Sequence, residues 1–315
     1  MLLRSGAAAL VVAAVTVTAS GAASQGGTFR SGTELVPLQV TVVDAQRRYV
    51  PDLRADDFVV FDEGVRQPVA LFATAQAPLD LMLLMDTSGS MAERMTVARE
   101  AAINFVRTLR PEDRASVITF ANSVKVAQPL TSDIDMLEQA IRGTTPVGGT
   151  AYFEAVYIAL RELARARRGQ DRLRRQALVV LSDGDDTGSR VTFDDVLAEA
   201  RGNTATIFTI FPPTRLSAWF QAHEGQHPSP PFELRSLADE TGGRTFASSR
   251  LDDLSGAYRE IADELGQQYW LAYSPAPSRG GFRRVSVQVA SRPGMHARTR
   301  SGYIAAATAS RAGTQ

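Results

Sequence analysis

Residues 79–90 read LDLMLLMDTSGS and join a nearly continuous apolar run to a polar, glycine-containing turn. An apolar run of this length is typical of a strand that is buried on both faces of a parallel sheet. Similar runs occur at residues 115–120, 177–181 and 206–211, and segments with helical periodicity lie between them. The sequence therefore predicts an α/β fold with a Rossmann-like, doubly wound and mostly parallel sheet.

Polar motifs stand at three places where a predicted strand ends or a predicted helix begins. They are Asp86-Thr87-Ser88-Gly89-Ser90, Gly148-Gly149-Thr150 and Ser182-Asp183-Gly184-Asp185-Asp186. Because the carboxyl ends of parallel strands share one edge of an open sheet, we expect the three loops to meet in a single crevice. The oxygen-bearing side chains expected there are Asp86, Ser88, Ser90, Thr150 and Asp183.

This set of side chains consists of two carboxylates and three hydroxyls, which are hard oxygen ligands. Such ligands suit a small hard dication, above all Mg²⁺, which prefers near-octahedral oxygen coordination. The carboxylates balance the charge of the ion, whereas the hydroxyls add ligands without adding charge. We predict one divalent cation at these residues, Mg²⁺ in the first place with Mn²⁺ or Ca²⁺ as alternatives, and an open position for a carboxylate from outside.

The same residues resemble the von Willebrand factor A domain, and the resemblance covers residues 78–266. The signature of that family is Asp-x-Ser-x-Ser after the first strand, a Thr in a later glycine-rich loop and an Asp in a further strand-end loop. All five positions match, as Asp86, Ser88, Ser90, Thr150 and Asp183. The resemblance implies a metal-ion-dependent adhesion site, in which the hydroxyls ligate the metal, the aspartates ligate it directly or through water, and an acidic side chain of a partner protein completes the shell.

Shorter β-rich segments flank this region on both sides and resemble those of a subgroup of exported bacterial proteins with this domain. Neither flank is long enough to bury a core by itself. We therefore expect the two flanks to pack together as one smaller β-sandwich. The predicted boundaries are a signal peptide at 1–23, an N-terminal β segment at 24–77, the α/β domain at 78–266, a C-terminal β segment at 267–304 and a disordered tail at 305–315.

A purely structural interpretation of the three motifs stays open. Ser90 with Glu93 fits a capping box, Thr150 fits a helix N-cap, and Asp183 followed by glycine fits a turn. Under this interpretation the protein is a metal-free scaffold. We favour metal binding because caps do not require two acids and three hydroxyls at one sheet edge.

The sequence also contains His223-Glu224-Gly225-Gln226-His227, which matches the His-Glu-x-x-His pattern of zinc peptidases. That pattern requires a helix, so that both imidazoles project from one face. Gly225 costs about 1 kcal/mol in a helix interior, and Pro228 disfavours the α conformation at His227. A zinc metallopeptidase using His223, Glu224 and His227 is therefore the alternative function, and a surface loop is the preferred interpretation of this segment.

Composition narrows the range of functions further. The chain of 315 residues has 34 basic and 34 acidic residues, so no overall charge attracts it to nucleic acid or to anionic lipid. It contains no cysteine, which excludes disulfides, thiolate nucleophiles and cysteine-bound metals. Phosphate-binding and serine-hydrolase motifs are absent. These observations favour a protein without enzymatic activity. The partner that the predicted metal site and the resemblance imply is an unidentified protein ligand presenting Asp or Glu.

The first residues have the pattern of a secretory signal. Arg4 precedes an uncharged stretch, residues 7–23, that is rich in Ala and Val and ends in small residues suited to cleavage near Ala22 or Ala23. We therefore expect a secreted or periplasmic protein without a membrane span after cleavage, with an uncleaved N-terminal anchor as the minority hypothesis. The expected function is an extracytoplasmic adhesion or assembly module.

Overall fold

The computed structural model describes residues 35–74, 77–168, 174–183, 186–212, 231–248 and 250–307, all within one of the two units into which the chain divides, residues 34–315. Its strands are β1 (Val36–Val43), β2 (Phe58–Asp62), β3 (Val65–Gln67), β4 (Leu71–Ala73), β5 (Leu79–Asp86), β6 (Arg114–Phe120), β7 (Val124–Thr131), β8 (Arg175–Leu181), β9 (Thr206–Phe211), β10 (Thr245–Ala247), β11 (Tyr269–Tyr273), β12 (Arg279–Val289), β13 (His296–Arg298) and β14 (Gly302–Ala307). Its helices are α1 (Met95–Val106), α2 (Ile134–Arg142), α3 (Tyr152–Arg168), α4 (Phe193–Gly202), α5 (Phe232–Thr241) and α6 (Leu254–Gln267).

The central sheet has the strand order β10-β9-β8-β5-β6-β7, in which only β7 runs antiparallel to its neighbour. Every residue of β5 is buried. Its side chains alternate between the two faces: Leu81 and Leu83 pack toward α1, α2 and α6, whereas Met82 packs toward α3, α4 and α5. Burial on both faces explains the unbroken apolar run, and the predicted doubly wound α/β fold is confirmed.

The two flanking segments build two antiparallel sheets, with strand orders β13-β1-β11-β4 and β14-β12-β2-β3. Each sheet contains strands from both ends of the chain; β1 pairs with β11 and β2 pairs with β12. The two sheets share one buried cluster, which includes Leu38, Val60, Leu271 and Val287. This is the smaller β-sandwich that the fold prediction includes, and neither flank supplies its core alone.

Some boundaries differ from those that the sequence indicates. The polar turn after β5 does not lead directly into helix α1, which begins at Met95, because residues Gly89–Met91 form a 3₁₀ turn first. Strand β14 extends to Ala307, beyond the predicted boundary at 304, because it pairs with β12 as far as Arg279. The predicted signal peptide and residues 308–315 lie outside the described residues. Among the described helices, none has both the length and the apolar character needed to cross a bilayer.

Candidate metal centre

The candidate metal centre begins at the carboxyl end of β5, where Asp86 is only 1% exposed. Its Oδ1 accepts a hydrogen bond from the backbone N–H of Ser88 at 2.8 Å, which folds the chain back over the carboxylate. Its Oδ2 accepts a hydrogen bond from the hydroxyl of Ser182 at 2.7 Å. Ser182 follows directly after β8, so this second bond joins the loops after two neighbouring strands.

Two hydroxyls lie side by side in the first loop. The Oγ atoms of Ser88 and Ser90 are 2.9 Å apart. Oxygen ligands at the 2.0–2.1 Å typical of Mg²⁺ stand about 2.9 Å apart when they occupy adjacent octahedral positions. Ser88 is buried and Ser90 is exposed. The pair therefore has the spacing of two neighbouring ligands of one small cation, with one ligand on the solvent side.

The second loop is hydrogen-bonded directly to the first. The N–H of Gly89 donates to the carbonyl of Gly148 at 2.9 Å, and the N–H of Val147 donates to the carbonyl of Thr87 at 2.7 Å. Gly148 has a φ of 71°, and a Cβ there would lie 2.2 Å from the side chain of Asn122. A glycine is thus required at this position for the second loop to approach the first.

Thr150 connects the second loop to the third. Its N–H donates to the hydroxyl of Thr187 at 2.9 Å, and its carbonyl accepts from the N–H groups of Thr187 and Gly188. Thr150 is 5% exposed, and its hydroxyl makes no hydrogen bond to another described residue. The backbone of Thr150 therefore has structural partners, whereas its hydroxyl is left available as a ligand.

Asp183 contacts the first loop through an arginine. Arg94 donates from Nη1 to the carbonyl of Ser90 at 2.6 Å, and the same nitrogen lies 4.0 Å from Oδ2 of Asp183. Both side chains are about nine-tenths buried, with 9% and 10% exposed. The guanidinium therefore holds the turn that carries Ser90 and also lies within ion-pair distance of the second carboxylate.

Burial dominates the electrostatics of the centre. The pKa of Asp86 is raised to about 6, chiefly by desolvation and to a smaller extent by the nearby charge of Asp183, whereas hydrogen bonds from Ser88 and Ser182 act in the opposite direction. A raised pKa means that the ionised carboxylate is less stable here than in water. A cation at this position would offset that cost. The raised pKa and the oxygen ligands are therefore both consistent with a site for a divalent cation.

The structure brings the predicted residues together to different degrees. Asp86, Ser88 and Ser90 form one hydrogen-bonded turn, Asp183 is joined to it through Arg94 and the preceding Ser182, and Thr150 is joined to it through its loop backbone. In the described part of the chain there is no group of three or more His, Cys, Asp or Glu side chains placed to hold a metal. Any ion here would therefore depend on hydroxyl ligands as well as carboxylates.

The structural interpretation of Ser90 receives no support at helix α1. The cap position of that helix is Arg94, which makes no side-chain capping hydrogen bond. Ser90 lies in the preceding 3₁₀ turn and contacts Ser88 instead. The pattern His223-Glu224-Gly225-Gln226-His227 lies outside the described residues.

Several residues of the centre were not predicted from the sequence. Ser182 belongs to the third motif, but no feature of the sequence indicates its bond to Asp86, whereas Arg94 could have been found as the basic residue four positions after Ser90. Asp186, the last residue of the third motif, accepts hydrogen bonds from the backbone N–H groups of Phe153 and Ser189. No local pattern reveals this role, because the donor Phe153 lies at the start of α3, far away in the sequence.

One part of the chain matches a known family of domains. Residues 81–185 match the family model of the von Willebrand factor type A domain. A UPF0353 protein of Mycolicibacterium gilvum is 26% identical over 204 residues, an alignment that covers 60% of this chain and 61% of that protein. The chain thus spans less than two thirds of the length of this relative.

Solved structures with the same kind of domain were also found. A von Willebrand factor type A protein of Catenulispora acidiphila matches with a TM-score of 0.49 at 15% identity, covering 88% of this chain and 75% of that one. The vWF domain of the type V pili tip protein Mfa5 of Porphyromonas gingivalis matches with a TM-score of 0.44 at 14% identity, covering 59% and 94% of the two chains. From the family-model match, the chain contains a von Willebrand factor type A domain.

Proposed function

We propose that this protein is a binding module that captures an acidic side chain of a partner protein through a divalent cation. The cation is Mg²⁺, with Mn²⁺ or Ca²⁺ as alternatives. Its ligands are Asp86, Ser88, Ser90, Thr150 and Asp183. The observation that carries the proposal is the pair of hydroxyl oxygens of Ser88 and Ser90, 2.9 Å apart, beside a buried carboxylate.

The charges at the centre favour binding of the cation first and of the partner's acidic side chain second. Without a cation, the buried Asp86 is disfavoured in its ionised form, as its raised pKa indicates. When bound, a divalent cation supplies two positive charges and an open position for a carboxylate. The neighbouring Arg94 adds positive charge on the same side of the loop. Capture of an acid is therefore expected to follow metal loading.

Binding is preferred to catalysis as the role of this centre. The carboxylate of Asp86 is held by the backbone N–H of Ser88 and the hydroxyl of Ser182, and the family-model match is to a von Willebrand factor type A domain. The apolar, Ala-rich start of the chain supports export to the periplasm or the medium. The proposed role is thus adhesion or assembly outside the cytoplasm.

Metal binding is tested by thermal unfolding and titration calorimetry with MgCl₂ and with EDTA. A site that binds Mg²⁺ only in the folded state adds about 2.7 kcal/mol of stability at a concentration of 100 times Kd. We expect this gain for the natural protein and no gain for Asp86→Asn. The variant should remain folded in EDTA, because the substitution removes a buried charge that is disfavoured without a cation. Asp239→Asn, which changes an exposed acid on α5, is the matched control and keeps the full gain.

Partner capture is tested separately with immobilised short peptides that carry a central Glu, each matched by a peptide with Gln in its place. We expect retention of Glu peptides in Mg²⁺, release by EDTA, and no retention of the Gln peptides or by Asp86→Asn. Binding of Mg²⁺ without any preference for Glu would contradict the capture mechanism. Unchanged stability and no heat of binding with Mg²⁺, Mn²⁺ or Ca²⁺ would instead support the metal-free scaffold.

A further inference from the structure

A cavity of about 490 Å³ lies at the edge of the central sheet opposite the candidate metal centre. Leu79, the first residue of β5, lines it, whereas the metal centre begins at Asp86, the last residue of the same strand. Volumes of 300–1,000 Å³ are typical of sites for small organic ligands. The exposed residues Arg259 and Gly266 of α6 stand at its rim, so the cavity is open to solvent.

The lining of the cavity contains both apolar and charged residues. The apolar residues are Leu79, Phe105, Leu109, Ala262 and Leu265. The charged residues are Arg110, Asp113, Arg175, Arg259 and Asp263. Three arginines against two aspartates leave the lining with an excess of one positive charge. A ligand that matches this composition has an apolar body and one negative charge.

Arg175 is the residue of the cavity that a negatively charged ligand would stabilise most. It is 3% exposed, and burial lowers its pKa to about 10, with the nearby Arg110 acting in the same direction and the charge of Asp113 acting in the opposite direction. Its Nε donates to the carbonyl of Ala77 at 2.9 Å, and its Nη1 donates to the carbonyl of Leu265 near the end of α6. No carboxylate of the described residues lies within ion-pair distance of it.

The acids in the cavity are occupied or distant from that arginine's donors. Asp113 accepts from Arg110 at 2.9 and 3.0 Å and from the backbone N–H of Leu79 at 2.8 Å. Asp263 lies on the exposed side of α6. Within the described part of the chain, Nη2 of Arg175 makes no hydrogen bond, although the side chain lines the cavity. A buried cation with unused donors beside an apolar wall matches a carboxylate.

We infer that this cavity is a binding site for an organic monoanion, a carboxylate carried on an apolar chain, with Arg175 and Arg259 facing the carboxylate and the wall of Phe105, Leu109 and Ala262 covering the chain. The site also touches both connections between the two parts of the molecule, at Thr74 and Gly266. The inference is independent of the metal centre, because the two sites are at opposite edges of one sheet.

The probe is octanoate, added to the full chain in EDTA and followed by calorimetry and thermal unfolding. We expect saturable binding and a higher Tm, with octanamide at least about tenfold weaker because it has no negative charge to form an ion pair with the arginines. Acetate, which lacks the chain, should not bind measurably. Equal affinity for octanoate and octanamide, or no binding of octanoate, would overturn the inference.

Three variants locate the site. Ala262→Trp fills the cavity while leaving all three arginines in the chain and should abolish binding, whereas Arg259→Gln should weaken it by a few-fold. Arg66→Gln, an exposed arginine on β3, is the matched control and should leave it unchanged. Arg175→Met should also abolish binding, but this substitution removes the donor to the α6 carbonyl and could prevent folding. In that case Ala262→Trp and Arg259→Gln decide the outcome. Octanoate binding that survives Ala262→Trp would contradict the assignment.

Discussion

At the scale of single residues, Asp86 shows which parts of the site a sequence can predict. Its contact with Ser88 is local, so the motif spacing already predicts it. Its contact with Ser182 joins positions 96 residues apart, and nothing distinguishes that serine from others that precede an aspartate. The ligand set could therefore be proposed from the sequence, whereas the hydrogen bond that orients its most buried member could not.

Ser182→Ala tests that orientation. Removing a hydrogen bond to a charged group costs about 1.5–3 kcal/mol, so the free energy of unfolding in EDTA should fall by this amount. Loss of a group that orients a metal ligand should also weaken Mg²⁺ binding about 10- to 100-fold. Chemical denaturation and calorimetry measure the two effects. Ser286→Ala, an exposed serine on β12, should change neither quantity, and an unchanged Kd for Mg²⁺ in Ser182→Ala would contradict the orienting role.

At the scale of secondary-structure elements, the sequence indicates most strands because they are buried on both faces and read as apolar runs. The start of a helix is harder to predict where a 3₁₀ turn precedes it, as before α1. No feature of the residues Gly89–Met91 distinguishes a 3₁₀ turn from a first turn of α-helix. The contact between the first and second loops depends on Gly148, whose positive φ is visible only in the structure.

Gly148→Ala tests this contact between loops. A Cβ at this position both requires a left-handed backbone and overlaps the side chain of Asn122, so we expect a cost of about 1–3 kcal/mol. The Mg²⁺-dependent gain in stability should shrink as well, because the second loop carries Thr150. Gly202→Ala is the control, since that glycine has no neighbour within 4 Å and ends a helix, and it should be neutral or slightly stabilising. Equal effects of the two substitutions on stability would contradict this account.

At the scale of the whole molecule, Glu264 on α6 joins the α/β part to the sandwich. It is fully buried and accepts a hydrogen bond from Thr41 of β1 at 3.0 Å. Arg298 of β13 pairs with the same carboxylate, and Arg244 lies 3.7 Å away. The packing of the two flanks could be predicted, because each was too small to fold alone. This ion pair could not, because in the sequence Glu264 is an ordinary charge on an amphipathic helix.

Glu264→Gln should lower the free energy of unfolding by about 1.5–3 kcal/mol, because it removes the buried, charged acceptor of the hydrogen bonds from Thr41 and Arg298. Glu260→Gln is a matched control on the same helix. Glu260 pairs with Arg244 at 2.7 Å but is 61% exposed, so its loss should cost less than about 1 kcal/mol. Urea denaturation of the two variants measures the difference. Similar values for both would show that the buried pair does not hold the two parts together.

The strands at which the chain leaves and rejoins the sandwich are hydrogen-bonded neighbours, since β4 pairs with β11 through Trp270 and Ala73. Tension applied at β1 and β14, the first and last described strands, would therefore act first on the sandwich. The inserted α/β part would remain unstretched until those two neighbours were pulled apart. A molecule built in this way can bear a mechanical load through its base without deforming the loops that hold a ligand.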